Sequence, residues 1–354
     1  MFTTEDTEVH RVFDVYCVKN QYCLCGSPCP LWFYFMNVLI VQPGTSTGDP
    51  LAVFIMGPTA TGKTELAIAL AEELPMDIIS VDSAMVYRGL DIGSAKPDAK
   101  TLAASPHRLI DICDPSEAYS AGKFRDDAVT EMGQIASAGR APLLVGGTML
   151  YFRTLQQGIA ELPDADADIR HQLDHQAKNK GWDYMHQRLA KIDPESAKRI
   201  HPNDPQRIQR ALEVYEITGK SLTEFWHEQT RESLPYRCVK IALMPADRVD
   251  LRKLIERRFD AMLDAGLVEE VEKLYQREDL TADLPAIRAV GYRQVWAMLA
   301  GEYDFKTMRE KAIIATAQLA KRQMTWLRKE SECNFIQPES VKLLNLLKNL
   351  SFLL

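Results

Sequence analysis

The feature that most restricts the fold of this chain is a glycine-rich stretch at residues 57–64. It matches the pattern G-x-x-x-x-G-K-[ST] and consists of Gly57, Pro58, Thr59, Ala60, Thr61, Gly62, Lys63 and Thr64. An apolar run at residues 51–56 precedes the stretch, and residues 65–71 follow it with the pattern of a helix. The order strand, loop, helix is the one that a phosphate-binding loop (P-loop) requires.

This loop predicts a bound phosphate or diphosphate. Its glycines allow several backbone N–H groups to converge on one anion, the start of the helix adds partial positive charge, and Lys63 adds a full charge. The Thr64 hydroxyl is placed to bind Mg²⁺. Loops of this kind occur in nucleotide-binding and ATP-binding proteins, but the pattern by itself establishes a phosphate ligand and does not establish ATP.

Composition limits the class of protein. The chain has 354 residues, enough for one large α/β domain and a smaller one. Its net charge of −7 gives no overall attraction to nucleic acid, so an RNA site must come from local basic patches. The apolar run at residues 31–41 is too short to span a bilayer, and nearby acidic residues disfavour a signal peptide. We therefore expect a soluble, cytoplasmic protein without a membrane partner.

Strand and helix patterns alternate along the chain. Apolar runs predict strands at residues 77–81, 142–145 and 238–243, and residues 109–112 weakly resemble a Walker-B strand. Amphipathic patterns predict helices at residues 124–138, 249–265 and 306–329. The alternation predicts an α/β fold, a P-loop NTPase-like parallel sheet with helices on both faces.

The same patterns suggest domain boundaries. Residues 51–156 and 237–330 are expected to form the P-loop catalytic core, and the polar, helical segment 157–236 to form an inserted all-helical subdomain. Residues 1–50 have no sustained period and are interpreted as a disordered extension. Its four cysteines lack the spacing of a zinc site. Residues 331–354 form an apolar C-terminal tail, in which residues 341–354 could make an amphipathic helix.

Several polar residues allow two interpretations. Asp82 follows a predicted strand at the edge where open α/β sheets bind ligands, which favours chemistry, but it could also cap the next turn. Asp111 could join a magnesium shell or pair locally. His171 and His175 share a helix face, which without a His-Glu-x-x-His pattern indicates a solvated surface. Residues 146–148 form a second loop that could face an anion at a helix start.

The predicted helix at residues 306–329 is strongly basic. It contains seven lysines and arginines and one glutamate. Lys321, Thr325 and Arg328 share one face of this helix. A basic face with an aromatic residue suits RNA, since phosphates bind cations and bases stack on rings. A solvated surface helix would explain the same pattern equally well.

Taken together, these stretches resemble one family, the bacterial tRNA dimethylallyltransferases, also called tRNA isopentenyltransferases. The matching stretches run in order across residues 51–330 and include the P-loop. The others are DSAMVYRGLDIG at residues 82–93, HRLID at 107–111, GGTMLY at 146–151, NDPQRIQR at 203–210, AVGYRQ at 289–294 and KRQMTWLR at 321–328. A P-loop is shared by many folds, whereas the ordered set is specific.

The resemblance implies a reaction and its residues. The family transfers a dimethylallyl group from dimethylallyl diphosphate to N6 of the adenosine immediately 3′ of the anticodon, in tRNAs that read codons beginning with U, and it requires Mg²⁺. Residues 57–64 would bind the diphosphate, with Thr64 on the metal. Asp82 would be the general base, Thr148 would lie near the reacting centre, and Arg258 would bind the diphosphate. We expect a monomer whose partner is the tRNA anticodon stem-loop.

The resemblance also implies the residues that contact tRNA. They come from the Asp82 turn, the helical insert and two basic stretches of the core. They are Asp82, Ser83, Ala84, Met85, Arg170, Gln206, Arg207, Ile208, Gln209, Arg210, Arg288, Ala289, Val290, Gly291, Tyr292, Arg293, Lys321, Arg322, Gln323, Met324, Thr325, Trp326, Leu327 and Arg328.

Two other functions compete with this one. A small-molecule kinase would use the same P-loop, and only the ordered set of motifs disfavours it. An RNA-binding module with a vestigial nucleotide fold would have no need for intact Lys63, Thr64 and Asp82. The chemistry of prenyl transfer fits these residues. It needs cations to stabilise the diphosphate leaving group, a proton acceptor for the adenine amino group, and a pocket for the adenine once it has left its stack.

Overall fold

The computed structural model describes residues 48–160, 162–228, 234–338, 345–346, 349–350 and 353. Six strands in these residues form one parallel sheet in the order β3-β2-β4-β1-β5-β6. They are β1 (Leu51–Met56), β2 (Met76–Val81), β3 (His107–Arg108), β4 (Ala141–Gly146), β5 (Arg237–Leu243) and β6 (Asn334–Ile336). The predicted α/β class is confirmed. The extension predicted at residues 1–50 lies outside the described residues, apart from residues 48–50.

Strand β1 is buried along its whole length, because both faces of the sheet are covered. Phe54 and Met56 pack into a core on one face, and Val53 and Ile55 pack into a second core on the other. Alternate side chains of a strand point to opposite faces, so a run without polar residues is the pattern of a strand covered on both sides. The P-loop begins where β1 ends.

Helices cover both faces of the sheet and form the insert. They are α1 (Lys63–Glu73), α2 (Ala99–Ala104), α3 (Ala121–Ser137), α4 (Met149–Gln157), α5 (Ala167–Lys180), α6 (Trp182–Ile192), α7 (Pro194–Arg199), α8 (Pro205–Thr218), α9 (Leu222–Glu228), α10 (Arg248–Asp264), α11 (Leu267–Tyr275), α12 (Tyr292–Leu299) and α13 (Phe305–Leu327). The three predicted core helices are confirmed as α3, α10 and α13. Each begins at a capping side chain, Ser120, Asp247 or Asp304, which accepts a hydrogen bond from a backbone N–H of the first turn.

Helices α5 to α9 form the predicted helical insert and have a hydrophobic core of their own. Leu173, Met185 and Leu212 are among its buried residues. Two Asp-Pro pairs begin its helices α7 and α8: the aspartates cap with their side chains, and the prolines occupy the first position, where no N–H is needed. These helices therefore pack around a core of their own. The polar sequence, poor in β-branched runs, predicted that the segment is helical.

The interpretation of residues 109–112 as a short strand is wrong. Strand β3 ends at Arg108, and Leu109 and Asp111 have φ angles of 62° and 58°, which no strand allows. Lys96 explains the bend, since its buried ammonium pairs with Asp91 and Asp111, at 2.5 Å in each case. Of the two interpretations of Asp111, local pairing is confirmed.

The core extends beyond the predicted boundary at residue 330. Strand β6 pairs with β5, so the first part of the predicted tail belongs to the sheet. The buried ammonium of Lys240 donates to Glu330 Oε1 at 2.8 Å and to the Ser331 carbonyl at 3.2 Å, which fixes the chain where it enters β6. Leu346 and Leu350 are buried against the α1 face of the sheet. The rest of the helix predicted at residues 341–354 lies outside the described residues.

In the part of the chain that the structure describes, no helix is long and apolar enough to cross a membrane.

Candidate active site

The register of the sheet brings the predicted site loops together. Val81 pairs with Gly146, and Gly146 with Met56, so the carboxyl ends of β2, β4 and β1 lie level. The residues that follow these strands therefore meet at one edge of the sheet. They open on a cavity of about 560 Å³, lined among others by residues 59–64, Asp82, Gly146, Gly147 and Arg258.

The P-loop is folded back on itself. Ala60 and Gly62 have φ angles of 65° and 76°, the left-handed conformation that gives the loop its tight turn. The Lys63 ammonium donates to the Pro58 carbonyl at 2.7 Å, and the Thr61 hydroxyl donates to the same oxygen at 2.9 Å. A bound anion would compete with Pro58 for the Lys63 ammonium.

Two cations share the cavity with Asp82. Desolvation, and next the nearby Arg258 guanidinium, lower the pKa of Lys63 to about 8, although Asp82 and Glu65 oppose this shift. Burial also holds the pKa of Arg258 below its usual value, against the same two carboxylates. Both shifts mean that the nearby negative charge does not offset the desolvation of the charged forms of Lys63 and Arg258. An anionic ligand would supply further negative charge.

Asp82 caps a turn and faces the cavity as well. Its Oδ1 accepts from the backbone N–H of Ala84 at 2.8 Å and of Met85 at 3.2 Å. No hydrogen bond from another described residue reaches its Oδ2. The capping interpretation is thus confirmed for one oxygen, while the carboxylate keeps a second oxygen for a ligand in the cavity.

Thr148 supports the Asp82 turn from the neighbouring loop. It precedes helix α4, and its Oγ1 accepts from the Ser83 backbone N–H at 3.1 Å. A Cβ on Gly146 would lie 2.0 Å from the Val81 carbonyl oxygen, so this close approach of the two strand ends requires glycine. Thr64, the predicted metal ligand, lines the cavity at the start of α1.

The Asp82 turn and the two basic stretches of the core expose only some of their predicted RNA contacts. Exposed residues are Ser83, Arg288, Arg293, Lys321, Arg322, Thr325, Trp326 and Arg328. Buried residues are Gly291, Tyr292, Gln323, Met324 and Leu327. Side chains in the second group pack inside the protein, so in this conformation they are not available to a macromolecule at its surface.

In the insert, two of the predicted RNA contacts also bind a buried carboxylate. The carboxylate of Glu213 is fully buried, and Arg170 and Arg210 each bind it at 2.8 Å. Ile208 is buried in the core of the insert, whereas Arg207 is exposed. Gln206 lies within 3.5 Å of Arg288, so a stretch of the insert and a stretch of the core adjoin.

Sequence reasoning missed several polar residues near these stretches. Glu270 accepts hydrogen bonds from three successive backbone N–H groups, at residues 91–93, and from the Tyr292 hydroxyl at 2.6 Å. It thereby fixes the loop that follows the Asp82 turn. The Arg153 guanidinium lies 5.6 Å from the ring centre of Trp326 and extends the exposed basic surface. Neither residue stands in a motif, so no local signal could have found it.

The histidine pair of the insert is a surface feature, as predicted. His171 and His175 are exposed on α5. Among the described residues, no group of three or more His, Cys, Asp or Glu side chains is arranged to hold a metal ion.

Comparison with known proteins identifies the family of this chain. A family model described as IPP transferase matches residues 85–330, more than half of the chain. The tRNA dimethylallyltransferase of Thioalkalivibrio sulfidiphilus is 64% identical over 280 residues, which cover 79% of this chain and 88% of that protein. The enzyme of the same name from Coxiella burnetii is 56% identical over 297 residues, or 84% of this chain and 96% of that protein.

Solved structures share the fold. The full-length tRNA isopentenylpyrophosphate transferase of Bacillus halodurans is 36% identical with a TM-score of 0.62, covering 86% of this chain and 96% of that one. A eukaryotic dimethylallyltransferase, described as acting on tRNA, is 26% identical with a TM-score of 0.69, covering 82% of this chain and 74% of that one. Sequence and fold agree, and the chain belongs to the IPP transferase family.

Proposed function

We propose that this protein transfers the dimethylallyl group of dimethylallyl diphosphate to N6 of the adenosine immediately 3′ of the anticodon, in tRNAs that read codons beginning with U, and releases diphosphate. The observation that carries the proposal is the cavity in which the P-loop, Lys63 and Arg258 meet the carboxylate of Asp82. An anion site and a base within one cavity suit a transfer from a diphosphate to a weakly acidic amino group. Family membership identifies tRNA as the acceptor.

The cations act on the leaving group. As the bond between the allylic carbon and oxygen breaks, negative charge grows on the diphosphate. The backbone N–H groups of the P-loop, Lys63 and Arg258 stabilise that charge. Lys63 and Arg258 already line the cavity, so binding requires little reorganisation beyond the transfer of the Lys63 ammonium from the Pro58 carbonyl to the ligand.

Asp82 accepts the proton from N6 as the new carbon–nitrogen bond forms. Its hydrogen bonds to Ala84 and Met85 use one oxygen and hold the other in the cavity. Thr148 keeps the following residue, Ser83, in place. An amino group attached to an aromatic ring is a poor nucleophile, so orientation and removal of its proton both contribute to the rate.

The residues of the cavity fit Mg²⁺. The Thr64 hydroxyl and the Asp82 carboxylate are oxygen donors of the kind this ion prefers, and a diphosphate would bring further oxygens. Thr64 would hold the ion, with Asp82 nearby. When bound, Mg²⁺ would neutralise charge on the diphosphate.

The tRNA would lie on the exposed basic residues around the cavity. Arg288, Arg293, Lys321 and Arg328 would bind phosphates, and Trp326 offers a face for stacking. We expect the chain to act as a monomer. Because tRNA is the acceptor, the cytoplasm is the compartment in which we expect the reaction.

One incubation separates the candidate functions. The protein is mixed with dimethylallyl diphosphate, ATP, Mg²⁺ and an anticodon stem-loop with adenosine 3′ of the anticodon, and the products are analysed by mass spectrometry. Prenylated RNA supports the proposal. The same stem-loop with guanosine at that position is the matched control and should remain unmodified. A phosphorylated product would indicate a kinase, and retention of unchanged RNA would indicate a binding module.

A further inference from the structure

Gln323 lies within the basic stretch of α13 but faces away from its exposed side. Lys321 and Arg322 precede it and are exposed, whereas Gln323 is only 9% exposed. Buried side chains flank it towards the end of the helix. The stretch therefore has one side available to RNA and another that packs against the cavity.

The amide of Gln323 joins the two loops that form the site. Its Oε1 accepts from the backbone N–H of Thr59, in the P-loop, at 3.1 Å. Its Nε2 donates to the carbonyl of Gly147, in the loop before Thr148, at 2.8 Å. Reversing the amide would place oxygen against oxygen and N–H against N–H, so these two partners determine its orientation.

The fit around this amide is close. A Cβ on Gly147 would lie 2.5 Å from Nε2 of Gln323 and 3.4 Å from the Gly57 carbonyl oxygen. The start of the P-loop, the Gly147 loop and helix α13 therefore meet at one point. Residues this closely packed transmit a displacement of one to the others.

We propose that Gln323 is a positioning residue for the diphosphate site rather than a contact to tRNA. By bonding to Thr59 and Gly147, it holds the P-loop and the Thr148 loop at the spacing in which both face the same ligand. The inference rests on the proposed function, because it assumes that the P-loop binds the diphosphate of the prenyl donor. Loss of the amide would loosen the anion site and leave the exposed basic side of α13 unchanged.

The test is Gln323→Met, which keeps the length of the side chain and removes both hydrogen bonds. Affinity is measured by calorimetry for inorganic pyrophosphate with Mg²⁺, and separately for the unmodified anticodon stem-loop. We expect the pyrophosphate Kd to rise about tenfold, as loss of two hydrogen bonds near an anion site should cause, with the RNA Kd unchanged. The value of kcat/KM for dimethylallyl diphosphate should fall at least as far. Gln318→Met, an exposed change on the same helix, is the matched control.

Other outcomes overturn the inference. Weaker RNA binding with normal pyrophosphate binding would return Gln323 to the RNA surface. Unchanged affinity for both ligands would leave it a packing residue. If the wild-type protein bound no pyrophosphate and transferred no prenyl group, the proposed function would fail first and the inference with it. The inference about Gln323 can therefore be rejected separately from the proposed function only if the wild-type protein binds pyrophosphate.

A second variant keeps the test valid if Gln323→Met folds poorly. In Gly147→Ala the new methyl group would displace the same amide from the other side, so pyrophosphate binding should again weaken while RNA binding is preserved. In the double variant the flexible methionine side chain leaves room for the methyl group. We expect the combined effect on the pyrophosphate Kd to be smaller than the product of the two single effects. Effects that multiply would overturn the proposed contact.

Discussion

The catalytic core and the helical insert hold their cations in different ways. In the insert, Arg170 and Arg210 bind the buried carboxylate of Glu213, and Arg188 pairs with Glu216. In the cavity, neither Lys63 nor Arg258 has an ion pair within 4.0 Å among the described residues. Paired cations stabilise a fold. Within the described ranges, the Lys63 ammonium has only the Pro58 carbonyl as a partner, and buried cations without a carboxylate partner are at a disadvantage until an anion binds, which is typical of a binding site.

The difference also appears in the pKa values. Burial alone would raise the pKa of Glu213, but hydrogen bonds from Arg170 and Arg210 hold it below its ordinary value. In the cavity, desolvation lowers the pKa of Lys63. The first shift indicates an ion pair that favours the folded state, and the second an unmet need for negative charge. Counting lysines and arginines along the sequence cannot separate the two cases.

The largest effect should come from Asp82→Asn. The variant keeps the capping hydrogen bonds, because Asn caps as well as Asp, but it removes the base. Single-turnover prenyl transfer should slow by roughly 10²- to 10⁴-fold. Calorimetry should show nearly normal binding of dimethylallyl diphosphate and tRNA. Rates close to wild type would leave Asp82 with the cap alone.

Lys63→Ala and Arg258→Ala test the unpaired cations directly. Because their charges are needed most as diphosphate departs, kcat should fall by roughly 10²-fold in each variant. Steady-state kinetics with each substrate varied in turn would measure this. Arg257→Ala is the control, a neighbouring exposed arginine on α10. A change in tRNA affinity alone would mean that the cavity does not bind the diphosphate.

Glu213→Gln tests the paired cations of the insert. Losing the charge that Arg170 and Arg210 share should destabilise the insert by about 2–3 kcal/mol. Hydrogen exchange of the α8 amides would report this loss locally. The matched control is Glu216→Gln, because the side chain of Glu216 is 37% exposed whereas that of Glu213 is fully buried, and it should cost less than about 1 kcal/mol. Equal losses of stability in the two variants would mean that the buried ion pair of Glu213 does not stabilise the insert more than an exposed one does.

The pKa of Lys63 predicts a pH dependence of pyrophosphate binding. The free protein loses this proton at about pH 8. A bound anion raises the pKa, so the complex holds more protons than the free protein above pH 8, and affinity must fall as the pH rises. We expect a decrease approaching tenfold per pH unit, measured by calorimetry between about pH 7 and 9.5. Lys63→Arg does not titrate in this range, so its profile reports only the ionisation of the ligand, and the fall due to Lys63 is the difference between the two profiles. Identical profiles would mean that Lys63 does not face the ligand.

The smallest effects should come from the exposed side of α13. Lys321→Ala and Arg328→Ala should each weaken tRNA binding a few fold. Each should also lower the slope of the logarithm of the binding constant against the logarithm of the salt concentration by about one, because one phosphate contact is lost. Single-turnover prenyl transfer at saturating tRNA should stay near wild type. Lys311→Ala, an exposed change outside the stretch, serves as control. An unchanged salt slope would favour the solvated-helix interpretation.

Local patterns in the sequence predicted much of this protein. The P-loop, the strands that flank it and the helical character of residues 157–236 depend on neighbouring residues, so each could be read from a short window. The ordered motifs predicted the family in the same way. The interpretation of residues 109–112 was wrong because contacts outside this apolar run hold it in a turn: Asp111 pairs with Lys96, and the backbone N–H groups of residues 111 and 112 donate to the carbonyls of residues 85 and 86.

Only the tertiary structure decided which polar residues face the ligand and which hold the protein together. Arg258, on α10, lines the same cavity as Lys63, and Gln323 reaches Thr59 across 264 residues of the chain. Arg170, which is predicted as an RNA contact, is exposed and also binds the buried carboxylate of Glu213, a partner that no motif indicates. A motif states which residue type stands at a position. The direction of its side chain depends on long-range packing, which no window of neighbouring residues contains.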